Sequence, residues 1–125
     1  MVREVQNFKD LQVWQRGFAL TKVVYQLTEQ FPKSQQYILA SQMQRAAVSI
    51  PSNIAEGFNR KTTKEYKHFL SIALGSTSEL ETQLLLAIDL GYIPHHHLES
   101  LNESVDALSR MLRALIVKLE ARVAT

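Results

Sequence analysis

Apolar residues recur at steps of three and four along four stretches of this chain, each bounded by a proline, a glycine or a capping residue. The first is expected from about residue 10 to 30, with Asp10 as its N-cap. It carries two apolar stripes, Leu11, Trp14, Phe18 and Tyr25 beside Val13, Leu20, Val24, Leu27 and Phe31. One seam needs only one stripe, so this helix should be buried on more than one side. Phe31-Pro32 ends it, because the residue before a proline is pushed out of the helical region.

The second stretch, 34–58, starts with Ser34 as a cap and places Leu39, Met43, Ala46, Ile50, Ile54 and Gly57 on one side. Pro51 removes the amide that would bond the Ala47 carbonyl, so a kink is expected there. A full break is the competing reading, since Asn53 followed by Glu56 imitates a capping box. The spacing carries straight across Pro51, which favours the kink. Gly57 and Asn59 offer left-handed positions to stop the helix.

Thr62 followed by Glu65 is a capping box for the third stretch, 63–90, whose buried side runs through Tyr66, Phe69, Ala73, Leu80, Leu84, Ala87 and Ile88. A mid-helix glycine costs about 1 kcal/mol relative to alanine. Gly75 is therefore expected at a close backbone approach to the second helix, and Gly91 closes the third. The fourth stretch, 94–121, begins at Pro94 and keeps Leu98, Leu101, Val105, Leu108, Leu112, Leu115 and Leu119 in heptad register. Four long helices with short connections predict one all-α domain over residues 1–125, an up-down-up-down four-helix bundle with its second helix kinked at Pro51.

The polar side of the second helix is unusual. Gln42, Arg45, Ser49, Asn53 and Glu56 form a seam of amides, hydroxyls and charges between small residues, where a solvated face would carry Lys and Glu. One reading is structural, with Arg45 and Glu56 paired within or between subunits and the amides serving helix ends at the kink. The other is a ligand or nucleic-acid contact.

Composition narrows the classes. The 125 residues are 46% hydrophobic and 21% charged, ordinary for a globular domain with one core. There is no cysteine, hence no disulfide framework, thiolate metal site or thiol nucleophile. The opening MVREVQNFKD has no signal-like apolar run, and no stretch approaches the roughly 20 apolar residues that span a bilayer. A cytoplasmic location with no membrane partner is the expectation.

The net charge of +2 is unevenly placed. No Lys or Arg lies between Lys67 and Arg110, while Glu79, Glu81, Asp89, Glu99, Glu103 and Asp106 do. Cations gather at Arg60, Lys61, Lys64 and Lys67, and again at Arg110, Arg113, Lys118 and Arg122. Such segregation steers an anionic partner to one end, or pairs oppositely charged faces of helices or subunits. Arg60, Lys61, Lys64 and Lys67 sit at a helix start, where outward amides add to their attraction for phosphate. A solvated turn is the plain alternative.

Catalytic chemistry finds little support. His95, His96 and His97 are adjacent, so on a helix they point about 100° apart and cannot converge on one ion. His95 with Glu99 supplies only two ligands, and neither a metal nor a cofactor is expected. Glu56, Glu79 and Glu81 lack the Glu-x-x-His pattern of bundle metal sites. Arg60 and His68 are too far apart for the Arg-to-His motif of helical ribonuclease domains.

RAAVSIPSNIAEGFNR, followed by TTKEYKHFLSIALGSTSELETQLLLA and preceded by FKDLQVWQRGFALTKVVYQLTEQFP, resembles a bacterial family of small four-helix bundles. That family comprises the 23S rRNA intervening-sequence proteins and, more distantly, accessory proteins of diversity-generating retroelements. The resemblance runs from about Phe8 to Val117. It implies a homo-oligomeric ring, with a pentamer the first choice, and points to RNA, DNA, a reverse transcriptase or another protein as partner. The expected role is a noncatalytic accessory protein holding structured RNA or other nucleic acid on a basic rim. The alternative is a protein-interaction scaffold with no nucleic-acid role.

Overall fold

In the computed structural model, residues 5–124 are described, and the first four residues of MVREVQNFKD lie outside them. A 3-10 turn, Phe8–Asp10, leads into helix α1, Gln12–Thr28. A short helical turn, Lys33–Gln35, and a π turn, Gln36–Ala40, run into α2, Ser41–Phe58. Helix α3 spans Thr63–Asp89, and after a 3-10 turn at His95–His97 helix α4 spans Leu98–Ala124. Among the described residues there is no strand. Sequential helices run antiparallel and α4 returns to pack against α1, closing an up-down-up-down bundle.

The core is one cluster fed by all four helices. Val13, Leu20 and Val24 enter from α1, Met43, Ile50 and Ile54 from α2, Leu70, Leu80 and Leu84 from α3, and Val105, Leu108 and Leu112 from α4. The stripes of α1 separate. Val13, Leu20, Val24 and the trailing Phe31 are buried, whereas Phe18 and Tyr25 are about half exposed, at 48% and 47%. That leaves an aromatic face outside the core.

Helix α2 runs through Pro51 without a break. The carbonyl that Pro51 cannot serve, that of Ala47, receives the Thr21 hydroxyl of α1 at 2.9 Å. The same oxygen, Thr21 Oγ1, lies 2.8 Å from the Gly17 carbonyl on its own helix. Gly17 lets the two helices meet there. A Cβ at Gly17 would lie 3.2 Å from Ile50 Cγ2 and 3.6 Å from Pro51 Cδ. One threonine and one glycine on α1 therefore accommodate the proline on α2.

The second close approach joins α2 to α3 at Gly57. A Cβ there would sit 2.8 Å from Phe69 Cβ and 3.2 Å from the Tyr66 carbonyl oxygen. Gly75, expected to be the contact glycine of α3, has no atom within 4 Å of its Cβ position and faces outward. The expectation misplaced the contact because a mid-helix glycine shows that a side chain is missing, not which face it is missing from.

Other local expectations also change. Asp10 lies inside the 3-10 turn that Asn7 caps, and α1 begins after Leu11 with no side-chain cap. Ser34 lies within its helical turn, whose N-cap position is Pro32. The second helix is not regular from residue 34, because the π turn intervenes before Ser41. Gly57 and Asn59 are not left-handed, and among the described residues the only positive φ belongs to Gly91, at 81°. Asn59 ends α2 at φ −85° and ψ 0°, held by its amide bonding the Ala55 carbonyl.

Two predicted caps are present, the first through the Thr62 half of its capping box. Thr62 Oγ1 accepts from the Glu65 amide at 3.1 Å and starts α3. Gly91 ends it in a six-residue Schellman turn, its amide bonding the Ile88 carbonyl while the Tyr92 amide bonds that of Ala87. Ile93 then drops into the core with no exposed surface.

Candidate nucleic-acid interface

The start of α3 and the end of α4 lie side by side, because the two 27-residue helices are antiparallel. Lys67 Nζ reaches Glu120 Oε1 at 3.9 Å across them. Burial pushes the Tyr66 phenol above its usual value, and the positive charge of Arg122 on α4 opposes that shift. Lys118 is one turn before Arg122 and shares its side of the helix. This end of the bundle thus gathers Lys61, Lys64 and Lys67 from α3 with Lys118 and Arg122 from α4.

The four cations singled out from the sequence differ in what they touch. Lys61 and Lys64 are exposed. Arg60 Nη2 binds Glu56 Oε1 at 2.7 Å, and its guanidinium stands 4.7 Å from the centre of the Phe69 ring. Lys67 makes the longer bridge to Glu120. Both ion pairs are at least one-third exposed and contribute at most about 1 kcal/mol each, so a phosphate can compete for these cations.

Glu56, Glu65 and Glu120 share this end with the cations, and the remaining acids singled out from the sequence lie elsewhere. Glu79, Glu81 and Asp89 follow along α3, and Glu99, Glu103 and Asp106 occupy the first turns of α4, beside the end of α3. Helices of this length extend about 40 Å, well beyond a Debye length of about 8 Å at physiological salt. The basic end is therefore not neutralised by the acidic one. Arg110 is held at 3.3 Å by Asp106 and stands outside the basic group.

The five polar residues of α2 divide. Ser49 and Asn53 turn toward α3, where the Ser49 and Ser76 hydroxyls lie 2.8 Å apart and Asn53 Nδ2 donates to Ser49 Oγ at 2.9 Å. Gln42, Arg45 and Glu56 are exposed. Within the chain Glu56 pairs with Arg60, not with Arg45. Pro51's released carbonyl is served by Thr21 of α1, not by the amides of α2. His95 and Glu99 are both exposed, and the described residues contain no group of three or more His, Cys, Asp or Glu able to hold a metal ion. No described helix is long and apolar enough to cross a membrane.

The family model of the 23S rRNA-intervening sequence protein matches residues 9–114. The chain belongs to this family. The resemblance carried by RAAVSIPSNIAEGFNR and its flanks thus holds across most of the chain. The chain is also similar to the crystal structure of a protein of unknown function from the S23 ribosomal protein family of Bacteroides thetaiotaomicron. That similarity has a TM-score of 0.77 at 24% identity and covers 83% of this chain and 97% of the other. It supports the four-helix fold. No curated protein matches at a significant level.

Sequence reasoning separated Lys118 and Arg122 from the cations of α3, although the expected topology joins them. In an up-down bundle the end of the fourth helix returns to the start of the third, so this 23S rRNA-intervening sequence member could have been credited with a two-helix basic end. Thr21 carried no such signal, since its partner carbonyl is 26 residues away.

Proposed function

We propose that this chain is a noncatalytic, homo-oligomeric accessory protein that binds structured RNA, or another nucleic acid, through its basic end. What supports the reading is the antiparallel pairing of α3 and α4, with Lys67 3.9 Å from Glu120, which sets Lys61, Lys64 and Lys67 at the same end of the bundle as Lys118 and Arg122. Phosphate contacts made by such a group are salt-dependent and sequence-tolerant. The described fold has neither a sheet of stacking aromatics nor a loop shaped to read bases, which favours recognition of RNA by backbone and shape. A ring, with a pentamer as first choice, would repeat the basic end around an axis and multiply weak contacts.

Replacing Lys61, Lys64 and Lys67 together by Glu tests the site. The variant should lose binding to structured RNA at low salt while keeping its helicity and oligomer mass. Binding by the parent should fall steeply as salt is raised. RNA binding equal to the parent at matched salt would remove the basic end as the site.

A protein-interaction scaffold is the second reading, favoured by the exposed aromatic face of α1. A scaffold of this kind would dock a reverse transcriptase or another protein. Absence of RNA binding by the parent at low salt would decide for it.

A further inference from the structure

The turn from α1 into α2 is anchored on one buried residue. Thr28, at the end of α1, has no exposed surface, and two glutamines of the following segment fasten to it. Gln36 Nε2 donates to the Thr28 carbonyl at 3.0 Å and to the Phe31 carbonyl at 2.9 Å. Gln44 Nε2 donates to Thr28 Oγ1 at 3.0 Å. Both amide groups thus turn their nitrogens to the scaffold. Their carbonyl oxygens accept no hydrogen bond from the described residues and are not shut away from solvent.

Outside these anchors lies a cavity of about 500 Å³, lined by Lys33, Gln36, Tyr37, Ser41 and Gln44. That volume is in the range of small-molecule sites. The cavity shares Ser41 and Gln44 with a second depression of about 380 Å³, which adds Tyr25 and Arg45. The joined surface has two cations and no acid among its lining residues. Neither Lys33 nor Arg45 forms an ion pair among the described residues. Glu29, the acid nearest Lys33 along the chain, is exposed and not paired with it. The π turn Gln36–Ala40 carries Tyr37 on the rim, 94% exposed. Such turns are frequent at functional sites. Here the turn leaves an aromatic ring that its own chain does not cover, beside a cation and two amide carbonyls.

We propose that this cavity binds a nucleotide. The base lies against the Tyr37 ring and gives its N–H groups to the Gln36 and Gln44 carbonyls. The phosphate meets the Lys33 ammonium and the Ser41 hydroxyl, with Arg45 adding to the attraction. Each feature of the cavity answers to a different part of the ligand. The ring supplies a stacking surface, the carbonyls are acceptors held in place by Thr28, and the unpaired lysine receives the charge. An apolar ligand would strip water from two carbonyls and a cation without replacing it. An anion with no ring would leave Tyr37 unused. The basic end is far away, since Ser41 begins α2 and Phe58 ends it about 25 Å further on. The inference therefore stands apart from the RNA reading. Its occupant is a free mononucleotide or the unpaired end of an RNA strand, which share this chemistry.

Isothermal calorimetry on the intact chain with AMP, GMP and adenosine tests this. The mononucleotides should bind, and adenosine, which lacks the phosphate, should bind about tenfold more weakly than AMP. Tyr37→Ala removes an exposed side chain, so helicity and mass should stay unchanged while binding weakens about tenfold. Lys33→Gln with Arg45→Gln should weaken it by about tenfold or more. The variant with Lys61, Lys64 and Lys67 replaced by Glu should bind the mononucleotides as the parent does, which separates this cavity from the basic end. A 5′-phosphorylated dinucleotide that binds where AMP and GMP do not, and binds more weakly to Tyr37→Ala, makes the strand end the occupant. Absence of binding by all of these probes at millimolar concentration overturns the site. So does a Tyr37→Ala chain that binds as tightly as the parent, or binding that is lost in the basic-end variant.

Discussion

Helix α2 meets its two neighbours in different ways. Against α1 the closest approach is proline against glycine, and the nearest obstacle to a Cβ at Gly17 is the Ile50 Cγ2 methyl at 3.2 Å, which need give only a few tenths of an ångström. Against α3 the closest approach is Gly57 against Phe69 Cβ and the Tyr66 carbonyl, both fixed to the backbone of a helix. The polar bonds differ too. The α1 crossing has one hydroxyl serving the carbonyl left free by Pro51. The α2–α3 crossing has a small network, Ser49, Asn53 and Ser76, whose members also bond one another. One contact can yield to an added methyl but not to a lost hydroxyl; the other cannot yield to a methyl.

The largest expected effect follows from the rigid contact. Gly57→Ala forces a backbone shift between α2 and α3, and its gain in helix propensity should not offset that overpacking. Denaturant unfolding should show a loss of about 1–3 kcal/mol. A variant as stable as the parent would mean that the α2–α3 contact is as adaptable as the α1–α2 one.

Next in size, Thr21→Val keeps the shape of the side chain but removes the donor to the Ala47 carbonyl. Loss of about 1–2 kcal/mol is expected, the penalty for a partly buried carbonyl left without a partner. Placing a normal residue at Pro51 in the same background, as Pro51→Ala, restores an amide for that carbonyl. The double variant should therefore lose less than the sum of the two single changes in a thermal-unfolding cycle. Strict additivity would sever the link between the threonine and the proline.

The smallest effects compare two other glycines. Gly75→Ala adds a methyl to open space on a helix and should stabilise the fold by about 0.5–1 kcal/mol. Gly17→Ala has the same propensity gain set against displacement of Ile50, and its stability should lie within about 1 kcal/mol of the parent. Urea midpoints that rank Gly17→Ala above Gly75→Ala would contradict the packing described for both.

The elements were legible because their signals are local. Thr62 and Glu65 are one helical turn apart, and the Gly91 turn is closed by residues 87 to 92, so both motifs stand complete in the sequence. The heptad of α4 likewise needs no knowledge of its partner, and Leu101, Val105, Leu108, Leu112 and Leu119 are all buried. The caps assigned to Asp10 and Ser34 failed for the converse reason. A capping residue marks a start only where the chain enters in extended conformation, and at these positions a 3-10 turn and Pro32 had already set the entry.

The candidate site was legible in part. Lys61 and Lys64 were found as exposed cations and Glu56 stands one turn from Arg60, but that Glu120 would take Lys67 depends on α4 returning beside α3. By itself, then, the sequence determined four helices, their buried stripes, their two best caps and the separation of basic from acidic segments. Each of these rests on interactions between residues within about two turns of one another. Only the tertiary structure decided which glycine lies at a contact, which hydroxyl serves the carbonyl released by Pro51, and which apolar stripe of α1 is left outside. These depend on what another helix presents across the gap, and for Thr21 and Ala47 that partner lies 26 residues away.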